Sequence, residues 1–261
     1  MLRPRIIPCL LIHKGGLVKT QQFKDPKYVG DPINAVRIFN EKEADELMVM
    51  DIDASENKVA PDFALISKLA AECRMPLCYG GGVTTAEQAA RIVDMGVEKV
   101  AVSAAAVNNP SLLTKMSAAV GRQSVVAVLD VRKRTGLFAK GYELCTQNGK
   151  NEHRLDPVAF AKQLQDAGSG EIVINSIDRD GLMQGYDLGL AAQFKQELKV
   201  PVTFLGGAGS LDHISELIAT LGVVGAAAGS LFVFKGKYRA VLINYPTPEQ
   251  KIKLCREALN N

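Results

Sequence analysis

The chain has 261 residues and a formal net charge of +3, with 23% charged and 47% hydrophobic residues. The length allows one large domain or two small ones, and the composition is typical of a globular protein. The small net charge gives no signal for nucleic acid or for an anionic membrane surface, and no apolar run approaches the ~18 residues that a membrane span needs. We therefore expect no nucleic-acid partner and no membrane partner.

Cysteine and histidine usage gives a second set of exclusions. The five cysteines are odd in number and include no CxxC pair, which predicts reduced thiols and a cytoplasmic protein. The three histidines are scattered, so no histidine-built metal site is predicted. No cofactor is expected either. The N-terminal apolar stretch runs straight into a charged loop, and we interpret it as a first strand rather than a signal peptide.

The first half of the chain predicts four strand–helix units. The strands are expected at Arg5–Leu11, Glu46–Asp51, Met75–Tyr79 and Lys99–Ser103. The helix signals are Asp31-Pro32, the apolar spacing of Phe63, Ile66 and Leu69, a Thr84–Glu87 capping box, and Asn109-Pro110. A polar, glycine-bearing loop is expected over Ile12–Gly30, and loops of this length are usually functional or mobile.

The second half predicts four more units. The strands are expected at Ser124–Asp130, around the apolar run Ile172–Ile174, at Val200–Leu205 and at Gly225–Ala228. The helices are expected from Asp156-Pro157, near Leu188–Leu198, near Ser210–Leu221 and over about Pro248–Leu259. A second long polar segment, Val131–Leu155, has the composition of a β-hairpin or a mobile loop.

Three sequence blocks recur at one constant offset. Leu47–Ser55 matches part of Glu171–Gly181. Tyr79–Gly82 matches Phe204–Gly207, and Ala101–Ala104 matches Ala226–Gly229. Such repetition indicates duplicated halves. Eight alternating units with matching halves predict an α/β fold, a single (β/α)8 TIM barrel with an internal half-barrel duplication over approximately residues 1–122 and 123–261, rather than an open doubly wound sheet.

Glycine blocks follow two of the predicted strands. Gly80–Gly82 and Gly206-Gly207 each lie between a strand and a helix, where bare backbone amides can approach a phosphate. Gly229-Ser230 adds a hydroxyl and further amides after the last strand. The alternative is that these glycines only form tight turns. Two phosphate sites across a barrel mouth would hold a doubly phosphorylated ligand by its two ends.

Five aspartates stand at predicted strand ends, where a carboxylate with a raised pKa can transfer protons. Asp130 ends a run of apolar and small residues, so we expect its side chain to point into the barrel mouth as an acid–base group. The alternative is a structural acid that caps a loop or pairs with Arg132 or Arg179. The aspartates are Asp51, Asp53, Asp130, Asp178 and Asp180.

Five segments carry a resemblance to a known family: Arg5-Ile-Ile-Pro-Cys-Leu, Asp51-Ile-Asp-Ala-Ser, Gly80-Gly-Gly, Ser176-Ile-Asp-Arg-Asp-Gly and Gly206-Gly-Ala-Gly. Together they resemble the cyclase subunit of imidazole glycerol phosphate synthase, HisF. The resemblance implies a half-barrel duplication and a glutaminase subunit (HisH-like) docked on the bottom of the barrel. Ammonia from that partner would pass through the barrel and attack a bis-phosphorylated ribulosyl aminoimidazole carboxamide intermediate.

The resemblance also implies roles for single residues. The family uses two aspartates as acid and base, of which Asp130 is present, whereas Leu11 stands at the other position. Ser103-Ala104 stands where the family has Asn-Thr in its first-half phosphate site. The implied phosphate- and substrate-binding residues are Lys19, Gly82, Ser103, Ser176, Asp180, Gly181, Gly207, Gly229 and Ser230.

Four charged residues match the ring with which the family closes its ammonia entrance. They stand at the starts of strands one, two, four and six, so two acids and two bases could pair across the barrel bottom. The alternative is a set of unrelated surface ion pairs, each of which contributes little to stability. The implied ammonia gate is Arg5, Glu46, Lys99 and Glu171.

Several functions remain open on these residues. The segment Phe23–Glu43 resembles a HisF-like branch found with surface-polysaccharide genes, which implies a subunit that supplies ammonia for converting an acetamido sugar to an acetamidino sugar. A third, amidotransferase-type protein is then a further candidate partner. The alternatives are a true cyclase of histidine biosynthesis, a non-catalytic ammonia conduit, and a related sugar-phosphate isomerase barrel. The isomerase also expects a strand-one aspartate, so Leu11 counts against it.

Overall fold

A closed barrel of eight parallel strands forms the centre of the protein in a computed structural model, which describes residues 3–136 and 139–260. Each strand pairs in parallel with the next, and β8 pairs with β1 to close the barrel. The strands are β1 Arg5–His13, β2 Leu47–Asp51, β3 Leu77–Gly80, β4 Lys99–Val102, β5 Val125–Lys133, β6 Glu171–Ser176, β7 Val202–Leu205 and β8 Gly225–Ala228. The predicted (β/α)8 barrel is confirmed, while the division into two duplicated halves stays a prediction.

In the part of the chain that the structure describes, eight helices of nine or more residues alternate with these strands. They are α1 Pro32–Glu41, α2 Phe63–Glu72, α3 Ala86–Asp94, α4 Ser111–Val120, α5 Pro157–Asp166, α6 Leu188–Glu197, α7 Leu211–Leu221 and α8 Pro248–Asn260. Asp31 and Asp156 cap α1 and α5 as predicted, because each side chain accepts a backbone N–H three residues on. Within the described ranges, no helix combines the length and apolarity needed to cross a membrane.

Two predicted helix starts are wrong in detail. The capping box of α3 joins Thr85 to Gln88, one residue later than predicted, because the Gln88 side chain reaches back to the backbone N–H of Thr85. Pro110 itself occupies the N-cap position of α4, which has no side-chain cap, so the likeness to α1 fails. A short helix, Ala104–Asn108, precedes α4 and leaves no room for an earlier start.

The two long polar segments fold into antiparallel hairpins that extend the barrel strands. Gly16–Gln21 pairs with β1 and with Lys24–Gly30, so the predicted loop there is wrong. The Val131–Leu155 segment contains a hairpin of Tyr142–Thr146 and Asn151–His153, as one of its two interpretations predicted. Antiparallel pairing carries β1 to His13 and β5 to Lys133, beyond their predicted ends.

Strand alternation divides the core into an inner and an outer layer. The outer layer packs the barrel against its helices. The inner layer fills the barrel with small and apolar side chains, which are Ile7, Cys9, Met48, Cys78, Ala101, Val126, Val128, Val173 and Ala227. Because the interior is filled, polar chemistry can be placed only at the two ends of the barrel. A short helix, Ser230–Val233, and a small hairpin, Phe234–Lys235 with Ala240–Val241, follow β8 and had not been predicted.

Candidate functional site

A cavity of about 380 Å³, here called the mouth cavity, opens at the carboxyl ends of the strands. A smaller cavity of about 40 Å³, here called the glycine cavity, adjoins it beside the β7 and β8 loops. The side chains that line both cavities are Cys9, Leu11, Phe23, Asn175 and Leu205. A ligand in the mouth cavity can therefore extend into the glycine cavity past these five residues.

Asp130 lies on the inner face of β5 and lines the mouth cavity, although the strand continues to Lys133 rather than ending there. Its register partner on β6 is Asn175, whose Nδ2 donates to Asp130 Oδ1 over 3.0 Å. Burial raises the pKa of Asp130 to about 7, against the opposing effect of this hydrogen bond. A carboxyl with such a pKa can both give and accept a proton near neutral pH.

Leu11 and His13 lie two residues apart on β1 and both line the mouth cavity. Leu11 offers no polar atom there. His13 Nδ1 lies 2.6 Å from Asp53 Oδ1, and the backbone N–H of Lys14 donates to Asp53 Oδ2 over 2.7 Å. Sequence analysis missed His13 as a site residue, although its spacing from Leu11 would have placed it on the same strand face.

Lys19 is 5% exposed and lines the glycine cavity from the hairpin that follows β1. Its Nζ donates to the carbonyl of Cys9, and burial lowers the pKa of the ammonium group. A Cβ on Gly229 would lie 2.8 Å from Nζ, so the absence of a side chain there leaves room for the lysine. Lys19 and the Gly229-Ser230 backbone are thus brought together, as the phosphate interpretation requires.

Asp180 and Gly181 also line the glycine cavity. Thr20 Oγ1 donates to Asp180 Oδ2 over 2.7 Å and the Phe23 N–H donates over 3.2 Å, while burial raises the pKa of the carboxyl. A Cβ on Gly181 would lie 2.0 Å from the Thr20 carbonyl oxygen. The Asp180-Gly181 turn therefore fixes the hairpin that carries Lys19.

Ser176 and Gly207 complete the predicted residues of the second half. Gly207 lines the glycine cavity, and a Cβ there would lie 2.1 Å from the Gly185 carbonyl oxygen. Ser176 is buried and lines neither cavity, and its Oγ has no hydrogen-bond partner among the described residues. The structure therefore brings Gly207 to the cavity wall but not Ser176.

The phosphate-site residues predicted in the first half of the chain do not all reach the cavity. Gly82 is buried and lines neither cavity, because the β2–α2 loop packs on it; a Cβ there would lie 2.6 Å from the Val59 carbonyl oxygen. Ser103 and Ala104 do line the mouth cavity. Asp178 lies away from both cavities, where its Oδ2 accepts the Lys133 N–H over 2.7 Å.

A contact across the cavity rim joins the hairpin that follows β5 to the loop that follows β2. Asn148 Nδ2 donates to the Ile52 carbonyl over 3.0 Å and to Glu56 Oε2 over 2.9 Å. Lys150 pairs with the other carboxylate oxygen of Glu56. Sequence analysis missed these residues because their partner lies in a distant part of the chain.

The four predicted gate residues form a closed ring at the opposite, amino-terminal end of the barrel. Arg5 pairs with Glu46 and, over 2.7 Å, with Glu171. Lys99 Nζ lies 2.9 Å from a carboxylate oxygen of each glutamate. Glu46 is 2% exposed and Glu171 4% exposed. Burial raises the pKa of Glu171, but Arg5 and Lys99 outweigh it and hold that pKa below its usual range.

Thr203 is a fifth member of this ring. Its Oγ1 donates to Glu171 Oε1 over 2.6 Å, and the residue is fully buried. Gly225 faces it on β8, and a Cβ there would lie only 1.9 Å from Thr203 Oγ1. Sequence analysis missed Thr203, because a threonine inside an apolar strand does not by itself indicate a buried hydroxyl contact with a charge.

Two further observations concern the described residues outside the mouth cavity and the ring. A groove of about 670 Å³ lies on the amino-terminal side, where its lining includes Pro4, Asp45, Pro76 and Lys251. Among residues 3–136 and 139–260, no group of three or more His, Cys, Asp or Glu side chains is placed to hold a metal ion.

Comparison with known proteins gives concordant matches along the chain. The family model described as "Histidine biosynthesis protein" matches residues 5–239. A Vibrio vulnificus protein named "Putative imidazole glycerol phosphate synthase subunit hisF3" is 57% identical over 253 residues, which cover 97% of this chain and 96% of the relative.

Two further relatives come from other bacteria. A Leptospira interrogans protein with the same description, as subunit HisF, is 54% identical over 251 residues, covering 96% of this chain and 98% of the relative. An Alkaliphilus metalliredigens protein named "Imidazole glycerol phosphate synthase subunit HisF" is 36% identical over 232 residues, which cover 89% of this chain and 91% of the relative.

Proposed function

Because the chain belongs to the histidine biosynthesis protein family and is a HisF-like synthase subunit, we propose that it receives ammonia from a glutaminase and delivers it at the mouth cavity. The glutaminase docks on the amino-terminal face of the barrel, where the ring of charges and the groove beside it lie. Ammonia then travels along the barrel axis and leaves the interior next to Asp130.

The closed ring of Arg5, Glu46, Lys99 and Glu171 is the observation that carries this proposal. Buried ion pairs add little net stability compared with apolar residues, so such a ring is poorly explained by folding alone. Its two glutamates are almost fully buried at the one point where the barrel axis reaches the amino-terminal surface. A ring that excludes bulk water but can part for a small neutral molecule fits an ammonia entrance.

The acceptor is the finer part of the proposal. We infer that ammonia is used for the acetamido-to-acetamidino conversion of a sugar in lipopolysaccharide or O-antigen biosynthesis, with a third, amidotransferase-type protein as a further partner. Leu11 supports this choice, because it removes the proton-transfer group that the histidine-pathway cyclase needs on strand one. Leu205 and Met50 add further apolar surface to the same cavity wall.

A true cyclase of histidine biosynthesis is the second candidate, and one observation favours it. Asp130 keeps a cavity position and a pKa raised to about 7, which is suited to acid–base catalysis. A non-catalytic conduit, the third possibility, would have no need for this group. Both alternatives share the ammonia entrance and differ only in what happens at the mouth.

The test is turnover of the histidine-pathway intermediate by the purified chain with excess ammonium salt at high pH. Ammonium salt replaces the glutaminase, so only the chemistry of the barrel is measured. We expect no turnover by the wild type and its appearance in Leu11→Asp, with Leu11→Asn inactive as the matched control that cannot transfer a proton. Loss of one acid–base group typically costs ~10²–10⁴ in rate.

The opposite result would establish the cyclase. Robust turnover by the wild type, abolished in Asp130→Asn, would refute the sugar-modifying role and make Leu11 compatible with histidine biosynthesis. The ammonia route is tested separately with a HisH-type glutaminase. We expect the two chains to form a complex that hydrolyses glutamine, and Lys99→Met to release more ammonia into the medium than the wild type does.

A further inference from the structure

The two ends of the mouth cavity differ in charge, and we propose that its ligand carries phosphate at the glycine-cavity end only, with hydroxyl or amino groups at the other end. This inference rests on the proposed function, because it names the class of acceptor that the same cavity takes. It departs from the bis-phosphorylated ligand that the family resemblance implies.

The glycine-cavity end has the features that a phosphate group needs. Lys19 supplies a buried ammonium group, and Ser230 supplies a hydroxyl. Gly229 has no side chain, so its backbone N–H can be approached closely. The only carboxylate that lines this cavity in the described residues is Asp180, which already accepts two hydrogen bonds.

The opposite end of the mouth cavity, here called the first-half end, is lined from the β2–α2 loop and the end of β4; Gly81 and Ser103 reach it, but the positions that the repeat relates to Gly229, Ser230 and Gly207 do not keep those features. The sequence repeat places Ala104 opposite Gly229 and Ala105 opposite Ser230, so methyl groups replace an open backbone and a hydroxyl. Gly82, the repeat partner of Gly207, is covered by the β2–α2 loop and does not reach the cavity.

Carboxylates line the mouth cavity at this first-half end. Asp51, Asp53 and Glu56 contribute three acidic side chains, and the lysine beside them, Lys150, is already paired with Glu56. A phosphate dianion placed there would face like charges at short range, which is unfavourable at any realistic effective dielectric constant. Carboxylates are instead good acceptors for sugar hydroxyls and for amines.

The cavity wall between the two ends calls for a hydrogen-bond donor in the middle of the ligand. Asn175 is 7% exposed and lines both cavities, and its Oδ1 has no hydrogen-bond partner among the described residues. A buried carbonyl oxygen of this kind requires an N–H or O–H donor. A hydroxyl or an amide of a sugar-like ligand supplies such a donor, so this position favours a sugar-like middle section of the ligand and leaves the charge at the first-half end to decide the number of phosphates.

Calorimetry with two probe compounds tests the proposal on the intact chain. Ribose 5-phosphate carries one phosphate and ribulose 1,5-bisphosphate carries one at each end. We expect both to bind, and the bisphosphate to bind less than tenfold more tightly than the monophosphate. A bisphosphate advantage of tenfold or more would overturn the proposal, and so would failure of both probes to bind at 10 mM.

Single substitutions test which end of the mouth cavity holds the phosphate. Glu56→Gln should improve bisphosphate binding at least threefold and change monophosphate binding less than twofold, whereas Glu216→Gln, an equal change of charge on an exposed part of α7, should leave both unchanged. Equal responses to the two substitutions would overturn the charge argument. Lys19→Met should weaken ribose 5-phosphate binding at least tenfold.

Ser230→Ala is a second test of the phosphate end. This variant keeps Lys19, the cation beside Asp180, so it should fold even if Lys19→Met does not. It should weaken ribose 5-phosphate binding about threefold. Wild-type affinity in every folded variant of these two would overturn the placement of the phosphate. None of these measurements requires ammonia, glutaminase or turnover, so the proposed ammonia route could fail while the one-phosphate inference holds, and the reverse.

Discussion

Replacing Asp130 with asparagine should change how the stability of the protein depends on pH. Burial raises the pKa of this carboxyl from 3.8 to about 7 in the folded protein. The folded protein therefore holds a proton between about pH 4 and pH 7 that the unfolded chain has lost. The stabilisation from this proton is complete below about pH 4 and is lost as the pH rises to about 7.

The size of the effect follows from the difference between the two pKa values. Each pKa unit corresponds to about 1.4 kcal/mol, which gives an upper value of about 4 kcal/mol. Part of the side chain faces the mouth cavity and is screened by solvent, so we expect about 2 to 4 kcal/mol. An asparagine side chain cannot ionise. As the pH rises from 4 to 8, the free energy of unfolding of Asp130→Asn should therefore increase by this amount relative to that of the wild type.

Urea denaturation of both proteins at several pH values measures this difference. Subtracting the two curves removes the contribution of every other titrating group, and Glu216→Gln on an exposed part of α7 controls for a loss of charge as such. Parallel curves for Asp130→Asn and the wild type would refute the raised pKa. They would also remove the acid–base role of Asp130 near neutral pH, because a carboxyl with an ordinary pKa would be fully ionised there.

Three further outcomes are expected from the same structure. Glu171→Gln should lower the free energy of unfolding by about 3–5 kcal/mol, because it leaves two partly buried cations, Arg5 and Lys99, with one carboxylate between them; a thermal or urea transition unchanged from the wild type would show that the ring is hydrated. Thr203→Val should cost about 1–3 kcal/mol and Thr203→Ser much less, since only the serine keeps the hydroxyl donor to Glu171; equal losses in the two variants would assign the effect to packing. Gly207→Ala should be far more destabilising than Gly222→Ala in urea denaturation, because both glycines have positive φ but only Gly207 would bring a Cβ within 2.1 Å of another residue's backbone; similar losses would mean that the loop relaxes.

The barrel could be predicted because its signals are local and periodic. Eight apolar strands alternate with helices, and the side chains of Asp31 and Asp156 cap α1 and α5 within one turn. The hairpin that extends β1 was not predicted, and the one that extends β5 was one of two interpretations. The pairing of both depends on contacts between polar segments with no hydrophobic alternation.

The candidate site was only partly predictable. Asp130 and the glycines of the second half could be located, because each directly follows or belongs to an apolar strand. The covering of Gly82, the removal of Ser176 from the cavity and the His13–Asp53 contact all depend on how loops from different strands pack against one another.

The sequence by itself determined the number and order of the strand–helix units and the place of Asp130 at the barrel mouth, because these follow from residue patterns within short segments. Only the tertiary structure decided that four charges from strands one, two, four and six close into one ring, that Thr203 joins it opposite Gly225, and that the two ends of the mouth cavity differ in charge. Those features are distances between residues remote in the chain, and they exist only once barrel closure fixes the register of the strands.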